Sequence, residues 1–239
     1  MIMTKINIMI CDDEQSVHDE VCNLICKYKN TGEFEYGIYN CYSGDELLKS
    51  DVNIHILFLD IEMPGKDGIE IGKILCQKGS NARIIMLTAK KERFKECFKI
   101  NATRFVTKPI DKGEFYEALD SALFSFAGSE KIELRYNDQK CMVNQQEIII
   151  AESKGGYLLV RSKERVYDTN ESLKELETKL DQRLFISPCR GIIINMMYIN
   201  RIKKANIYMD DGTLITISRR KMKSTIQKIV DFDKIMGHR

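Results

Sequence analysis

Residues 54–65 read IHILFLDIEMPG, an apolar run that ends at Asp60 and continues into a short loop with a proline and a glycine. Two other apolar runs also lead directly into charged residues, and they end at Cys11-Asp12-Asp13-Glu14 and at Thr107-Lys108-Pro109. Short apolar runs of this kind are typical of buried strands. The sequence therefore places charged side chains directly after three predicted strands.

These charged residues are expected to meet. In an open parallel α/β sheet, the loops that follow the strands converge on one edge. We therefore expect Asp12, Asp13, Asp60 and Lys108 to lie in one small volume. Carboxylates that crowd together repel one another, and protonation or a divalent cation relieves the repulsion. The pattern favours Mg²⁺-dependent phosphoryl chemistry on a carboxylate over a structural salt bridge.

The first half of the chain alternates strand and helix signals. Two further strand-like runs cover Phe34–Tyr39 and Ile84–Leu87, and helical periodicity separates the five runs, including a segment around Phe94 and Phe98. Five strands that alternate with five helices predict a doubly wound, five-stranded parallel sheet with helices on both faces.

The second half has a different pattern. Short β-type runs follow one another there, without crossover helices between most of them, and one helix begins at a capping box of Ser172 and Glu175. One longer run over Ile202–Met209 precedes Asp211-Gly212, a strong hairpin signal, and a basic helix begins near Arg219. These features predict a second, mainly β domain.

We predict three segments: a first domain over residues 1–126, a short linker over 127–131, and a second domain over 132–239. Residues 1–125 carry 16 basic and 20 acidic side chains, a net charge of −4, whereas residues 126–239 carry a net charge of +6. An acidic half joined to a basic half indicates that the second half meets a polyanion.

Several classes of protein are disfavoured by composition. The chain has 239 residues, of which 44% are hydrophobic, but no apolar stretch approaches the roughly 20 residues of a membrane span. The N-terminus has no signal-peptide pattern. Eight cysteines without a C-x-x-C pair, and only three histidines, argue against a zinc site. We expect reduced thiols in a cytoplasmic protein without membrane association.

The first half resembles a two-component receiver domain of the CheY-like, flavodoxin-like kind over residues 4–126. The motifs that carry this resemblance stand at the family spacing, and they are Asp12-Asp13, Asp60 with Met63-Pro64 and Asp67-Gly68, Thr88-Ala89, and Lys108-Pro109. The resemblance implies that Asp60 takes a phosphoryl group from the phosphohistidine of a sensor histidine kinase and forms an acyl phosphate.

The resemblance also assigns supporting roles. It implies that Mg²⁺ is held by the carboxylates of Asp12, Asp13 and Asp60 and by the backbone carbonyl of Glu62. Lys108 would pair with one phosphate oxygen, and the Thr88 hydroxyl would donate to another. Phe105 matches the switch aromatic of the family, which turns inward when Thr88 moves.

The second half resembles the LytTR-type DNA-binding domain over residues 130–234. The features that carry this resemblance are Leu173-Lys174-Glu175-Leu176-Glu177 through Leu180 and Phe185, Arg190-Gly191-Ile192-Ile193-Ile194-Asn195 to Ile199, Asp211-Gly212, and Ile217-Ser218-Arg219-Arg220. The family inserts loops of a compact β-fold into successive major grooves.

The LytTR resemblance implies a set of DNA contacts. Base or phosphate contacts are expected at Arg190 and Arg220, with Tyr157 as a weaker match. An arginine can pair with guanine in a bidentate manner. Further phosphate contacts are expected from basic side chains, which are Arg219, Lys203, Lys204, Lys221 and Lys223. Asn195 is expected to hold a turn.

The sequence departs from the LytTR pattern in one loop. Ser187 and Cys189 stand where the family commonly has a basic residue and a histidine, and Pro188 stiffens the segment between them. The departures bear on which DNA sequence is recognised and on how tightly it is bound. They do not by themselves remove DNA binding.

Together the two resemblances imply a response regulator that is not an enzyme and that controls transcription. We expect it to dimerise when phosphorylated or on DNA, through the face around Phe105 and the helix near Phe94. Two alternatives remain open on the sequence: a phosphorylation-independent DNA-binding or dimerisation module, and an aspartyl-phosphate hydrolase. Such hydrolases place Asp-x-Asp after their first strand, whereas Asp60-Ile61-Glu62 follows the third.

Overall fold

A computed structural model of the protein describes residues 4–28, 34–89, 93, 100 and 102–236. The chain divides into two compact units, Met1–Ser125 and Phe126–Arg239. Within the described residues, no helix is both long enough and apolar enough to cross a membrane.

The first unit is built on a five-stranded parallel sheet with the strand order β2-β1-β3-β4-β5. This order confirms the predicted doubly wound fold. The predicted helix around Phe94 and Phe98 lies outside the described residues. The elements of the unit are β1 (Thr4–Cys11), α1 (Gln15–Lys27), β2 (Phe34–Cys41), α2 (Gly44–Lys49), β3 (Ile56–Asp60), α3 (Gly68–Gln77), β4 (Arg83–Thr88), β5 (Arg104–Thr107) and α4 (Lys112–Phe124).

The central strand β3 is buried along its whole length, as expected for a parallel strand with helices on both faces. On one face Phe58 stacks against Phe115 of α4, with ring centroids 5.1 Å apart. The α1 helix buries an apolar stripe that includes Val21 and Leu24. This packing fixes the ends of β1, β3 and β5, where the charged residues lie.

The loop after β3 folds back tightly onto the strand. The Gly68 N–H donates to the carbonyl of Ile61 at 3.0 Å. A Cβ atom at Gly68 would lie only 2.0 Å from the carbonyl oxygen of Asp60, which is rigid backbone. Only glycine allows this approach. Gly68 therefore fixes the path of the loop that begins at Asp60.

The second unit is mainly β, as predicted. A seven-stranded sheet has the order β11-β12-β8-β9-β10-β6-β7, and a three-stranded sheet has the order β13-β14-β15. The elements are β6 (Lys131–Tyr136), β7 (Gln139–Asn144), β8 (Ile148–Lys154), β9 (Tyr157–Ser162), β10 (Val166–Thr169), α5 (Leu173–Lys179), β11 (Phe185–Cys189), β12 (Ile192–Asn195), β13 (Ile199–Lys203), β14 (Asn206–Met209), β15 (Leu214–Thr216) and α6 (Met222–Met236).

Three features of this unit can be compared with the sequence-based predictions. The run Ile202–Met209 does not form one strand, because Lys204 takes a left-handed conformation with φ of 56° and turns the chain between β13 and β14. Ser172 and Glu175 form the predicted capping box. The buried Asn195 side chain accepts from the Met197 N–H and donates to the Ile148 carbonyl, so it holds a turn.

The first residues of the second unit are bound to its body. The Gly128 N–H donates to Asp181 at 2.7 Å, and the Gln146 side chain donates to the Ala127 carbonyl at 2.7 Å. Ala127 and Gly128 are both buried. These two residues, at the start of the predicted linker, are held by hydrogen bonds within the second unit.

We expect Gly68→Ala to destabilise the first unit by about 1–3 kcal/mol, because the new methyl group overpacks against fixed backbone. Urea unfolding of the purified variant measures the loss. Gly113→Ala is the matched control, since a Cβ there would meet only the Asp111 side chain. An equal effect of the two substitutions would contradict the backbone clash.

Candidate functional site

Three carboxylates lie together at the ends of β1 and β3. Asp12, Asp13 and Asp60 each offer an oxygen, and these oxygens lie within 4.8 Å of one another. Asp12 and Asp60 are buried, whereas Asp13 is exposed. The arrangement agrees with the predicted convergence, because Cys11 at the end of β1 is in register with Leu59 of β3. A set of oxygen donors at this spacing suits a hard divalent cation.

Lys108 is bound to two of these acids. Its Nζ lies 2.7 Å from Oδ2 of Asp12 and 3.2 Å from Oδ2 of Asp60. Its backbone N–H donates to the carbonyl of Thr88 at 2.8 Å, which joins the ends of β4 and β5. Burial tends to lower the pKa of Lys108, but the hydrogen bond and charge of Asp12 and the charge of Asp60 outweigh it and raise the pKa. Lys108 is therefore a firmly charged ammonium.

One lysine does not compensate for two buried carboxylates. The pKa of Asp60 is raised to about 6, mainly by burial and also by the nearby charge of Asp12, although the charge and hydrogen bond of Lys108 act in the opposite direction. At neutral pH Asp60 is still mostly ionised and can act as a nucleophile. The pocket carries excess negative charge, which a divalent cation would neutralise.

A second group of candidate functional residues lies in turns of the second unit, and backbone hydrogen bonds join these turns to one another. The Ser153 N–H, next to the β8–β9 turn, donates to the Gly191 carbonyl in the β11–β12 turn at 2.9 Å. The Ser218 N–H, before the 3₁₀ turn of residues 219–221, donates to the Pro188 carbonyl at 3.0 Å. The Ile217 N–H donates to Ala205 in the β13–β14 turn at 2.7 Å.

These turns present basic side chains to solvent. Seven of the predicted DNA contacts are exposed, and they are Arg190, Arg219, Arg220, Lys203, Lys204, Lys223 and Tyr157. Tyr157 exposes 71% of its surface, far more than a packing role needs. An exposed group of arginines and lysines with one aromatic ring fits a nucleic-acid surface.

Comparison with known proteins identifies both halves of the chain. Residues 8–120 match the response regulator receiver domain family, and residues 138–229 match the LytTr DNA-binding domain family. The chain is a two-component response regulator that binds DNA. Both predicted resemblances are confirmed.

Relatives of this response regulator match along nearly their whole length. The sensory transduction protein LytT of Bacillus subtilis is 26% identical over 234 residues, which cover 91% of this chain and 96% of that protein. LytT of Oceanobacillus iheyensis is 29% identical over 213 residues, covering 83% and 84%. The solved structure of response regulator TrrA from Thermotoga maritima, in complex with Mg(2+)-BeF, is 27% identical, covers 49% of this chain and 98% of its own, and has a TM-score of 0.43.

The remaining predicted residues of the receiver lie on β4 and β5 or directly after β3. Thr88 is buried at the end of β4, opposite Thr107 in the β4–β5 register. Phe105 is partly buried on β5 and packs against the core. The backbone N–H of Glu62 donates to the Asp60 carboxylate and lowers its pKa, although less than burial raises it.

Two residues that support the pocket were not predicted from the sequence. Glu114, in the first turn of α4, accepts from the Thr107 N–H at 2.9 Å and from its hydroxyl at 2.6 Å, so it holds the segment that carries Lys108. The buried His18 places Nε2 2.8 Å from the carbonyl oxygen of Asp12. The only sequence signal for His18 is a histidine on the apolar face of α1.

The predicted DNA contacts divide into two groups. Six of the basic residues are exposed, as described above. Lys221 differs, because its Nζ donates to the carbonyl of Ser187 at 2.8 Å and to the Ser187 hydroxyl at 2.9 Å. Its side chain is partly buried.

We expect Asp60→Asn to stabilise the metal-free protein at pH 7.5 by up to about 3 kcal/mol. The pKa of Asp60 lies near 6 in the fold instead of 3.8, so ionisation of Asp60 opposes folding above pH 6 and the penalty declines as the pH falls. The gain should therefore shrink at pH 4.5. Urea unfolding at both pH values measures it.

The exposed Asp51 provides a control, and Asp51→Asn should change stability little at either pH. A gain for Asp60→Asn that is the same at pH 4.5 and 7.5 would contradict the burial effect. Added Mg²⁺ should narrow the difference between wild type and Asp60→Asn, since the cation offsets the excess charge only where Asp60 can bind it.

Proposed function

We propose that Asp60 accepts a phosphoryl group from the phosphohistidine of a sensor histidine kinase, and that this phosphorylation controls transcription through sequence-specific DNA binding. The observation that supports the proposal best is the pocket itself. A buried, ionised Asp60 lies 3.2 Å from the ammonium of Lys108 and beside two more carboxylates. A structural salt bridge needs one acid for one lysine, not three.

The reaction follows from this geometry. A carboxylate oxygen of Asp60 attacks the phosphorus, a P–O bond forms, the P–N bond of the donor breaks, and the electron pair stays with the departing imidazole. Lys108 is close enough to Asp60 to pair with an oxygen of the transferred group. We infer that the Thr88 hydroxyl donates to another oxygen.

The acidic residues fit a magnesium site. Asp12, Asp13 and Asp60 are oxygen donors within 4.8 Å of one another, and the Glu62 carbonyl would complete the set. When bound, Mg²⁺ neutralises the charge that builds on the transferred phosphoryl group. In this proposal, the role of Asp12 and Asp13 is to bind the cation.

Phosphorylation would act through a two-state element. Thr88 and Phe105 lie on neighbouring strands, and Met86 of β4 is opposite Phe105 in the register. If Thr88 moves toward the phosphate, it opens space into which Phe105 can turn. The face around Phe105 then favours a homodimer. Two weak DNA sites become one strong site because the second contact forms at high effective concentration.

On the DNA, we assign base contacts to Arg190 and Arg220, with Tyr157 as a further contact. The exposed Arg219, Lys203, Lys204 and Lys223 are assigned to phosphates, which set affinity without reading sequence. Such a protein acts in the cytoplasm, where bacterial DNA lies. It is not an enzyme, because Asp60 is itself the acceptor and is consumed in each transfer.

We expect Asp60→Asn to abolish labelling by acetyl phosphate with Mg²⁺ and to abolish the phosphate-stimulated gain in DNA affinity. A phosphate-affinity gel measures the first effect, and fluorescence anisotropy with a duplex selected by the full-length protein from a random library measures the second. Asp45→Asn is the control, since Asp45 is an exposed acid that pairs with Lys66.

The same experiment separates the alternatives. If the wild type is labelled but its dimerisation and DNA affinity do not change, phosphorylation does not control the output. If it is never labelled, the receiver acts as a phosphorylation-independent module. Sustained turnover of a phosphate monoester would instead indicate a hydrolase.

We expect Arg190→Ala and Arg220→Ala each to lose about 1–3 kcal/mol of discrimination between the selected duplex and one with the contacted base pair changed. Lys204→Met should instead weaken binding to both duplexes equally. It should also lower the slope of log affinity against log salt concentration by about 0.9. Equal losses on both duplexes for the arginine variants would contradict base contacts.

A further inference from the structure

We propose that Lys221 is a positioning residue that ties the turn bearing Arg220 to the turn bearing Arg190, and that it does not contact a DNA phosphate. The inference rests on the DNA surface assigned above and deepens it. It concerns how two base-reading side chains that are far apart in sequence are held at a fixed relative position.

Strand β11 has free hydrogen-bonding capacity because it is the edge strand of the seven-stranded sheet. Its pairing with β12 is also irregular. Ile186 is opposite Ile194, but Cys189 is opposite Ile192, so Ser187 and Pro188 together face one residue of β12. Such a bulge turns backbone groups away from the ladder. Buried or partly buried carbonyls in this position need other donors.

The segment that carries Arg220 supplies these donors. The Ser218 N–H donates to the Pro188 carbonyl at 3.0 Å. Lys221 Nζ donates to the Ser187 carbonyl at 2.8 Å and to the Ser187 hydroxyl at 2.9 Å. The Ser187 hydroxyl in turn donates to the Cys189 carbonyl at 3.2 Å, directly before Arg190. A continuous chain of hydrogen bonds therefore runs from Lys221 to the residue next to Arg190.

A second lysine acts on the same strand. Lys228 of α6 donates from Nζ to the Phe185 carbonyl at 3.1 Å, and burial lowers the pKa of Lys228. Two lysines of the C-terminal segment thus serve carbonyls of the edge strand β11. This use of lysine is structural, because each ammonium points at protein backbone.

The Lys221 side chain differs in its hydrogen bonding from the other basic residues on this surface. Two of its three ammonium hydrogens are used by Ser187. Lys204 and Lys223 are exposed, and within the described residues neither side chain forms a hydrogen bond or an ion pair. A phosphate would have to compete with Ser187 for Lys221, whereas it meets no such competition at Lys204 or Lys223.

The position of Ser187 explains one departure from the LytTR pattern. A short hydroxyl side chain lets the Lys221 ammonium reach the backbone of the bulge. A basic residue at position 187 would repel it at this distance. Ser187 and Lys221 therefore form a matched pair, and the departure changes how the loop is held.

The test uses the full-length protein with acetyl phosphate and Mg²⁺, and anisotropy on the selected duplex and on one altered at the Arg190 contact. We expect Lys221→Met to weaken binding to the selected duplex about tenfold. The salt slope should stay within about 0.3 of the wild type, because no phosphate contact is lost. Lys223→Met, the matched control, should lower the slope by about 0.9.

A double-mutant cycle then tests coupling. In the Arg190→Ala background, Lys221→Met should have little further effect on discrimination, because the residue it positions is gone. Ser187→Ala, a milder change that keeps the carbonyl bond, should give a smaller loss in the same direction. If Lys221→Met fails to fold, Ser187→Ala still tests the positioning role.

Three results would overturn the positioning role of Lys221, and a fourth would overturn the DNA surface on which it rests. A drop in slope for Lys221→Met equal to that for Lys223→Met would show a phosphate contact. Additive effects of Lys221→Met and Arg190→Ala would show that the two act independently. If Arg190→Ala and Arg220→Ala bind both duplexes as the wild type does, the assigned DNA surface itself is wrong. Normal losses for those arginine variants with an unchanged Lys221→Met would contradict only the positioning role.

Discussion

The ion pairs of Lys108 with Asp12 and Asp60 are the interaction on which the receiver depends. They join the ends of β1, β3 and β5, and the sheet order brings these ends together. The pocket is buried, so each charge is felt strongly, and one ammonium faces two carboxylates. This imbalance is the basis of our proposal that the site binds a cation and accepts a phosphoryl group. Full neutralisation by protein side chains would have removed the reason for either to bind.

The core of this arrangement could be predicted from the sequence, because strand ends carry a simple signal. An apolar run followed by Asp60, and the same pattern before Asp12 and Lys108, is enough once the sheet is parallel. The supporting residues could not be found in this way. Glu114 reaches back seven residues to Thr107, and His18 contacts the Asp12 carbonyl from α1. Such contacts depend on side-chain directions, which the periodicity of apolar residues in the sequence does not reveal.

In the second unit, the sequence pattern fails to predict the structure for a different reason. The run Ile202–Met209 looks like one strand because it lacks a glycine or proline, yet Lys204 adopts a left-handed conformation and reverses the chain. Lysine rarely takes this conformation, so its turn has no clear sequence signal. The turn also holds neighbouring residues in place, since the Ala205 carbonyl beside it accepts from the Ile217 N–H and so joins β13–β14 to the residues before Arg219.

The edge strand β11 links stability with recognition. An exposed edge invites pairing with another chain, and proteins commonly protect it with lysine, proline or a bulge. Here all three occur, with Pro188 in the bulge and Lys221 and Lys228 bound to strand carbonyls. The groups that protect the edge also fix the turn that bears Arg190 against the segment that bears Arg220. Loop-based reading of DNA requires such rigidity, because a bidentate arginine contact tolerates little displacement. The same hydrogen bonds therefore complete the fold and, in our proposal, set the geometry of the DNA surface.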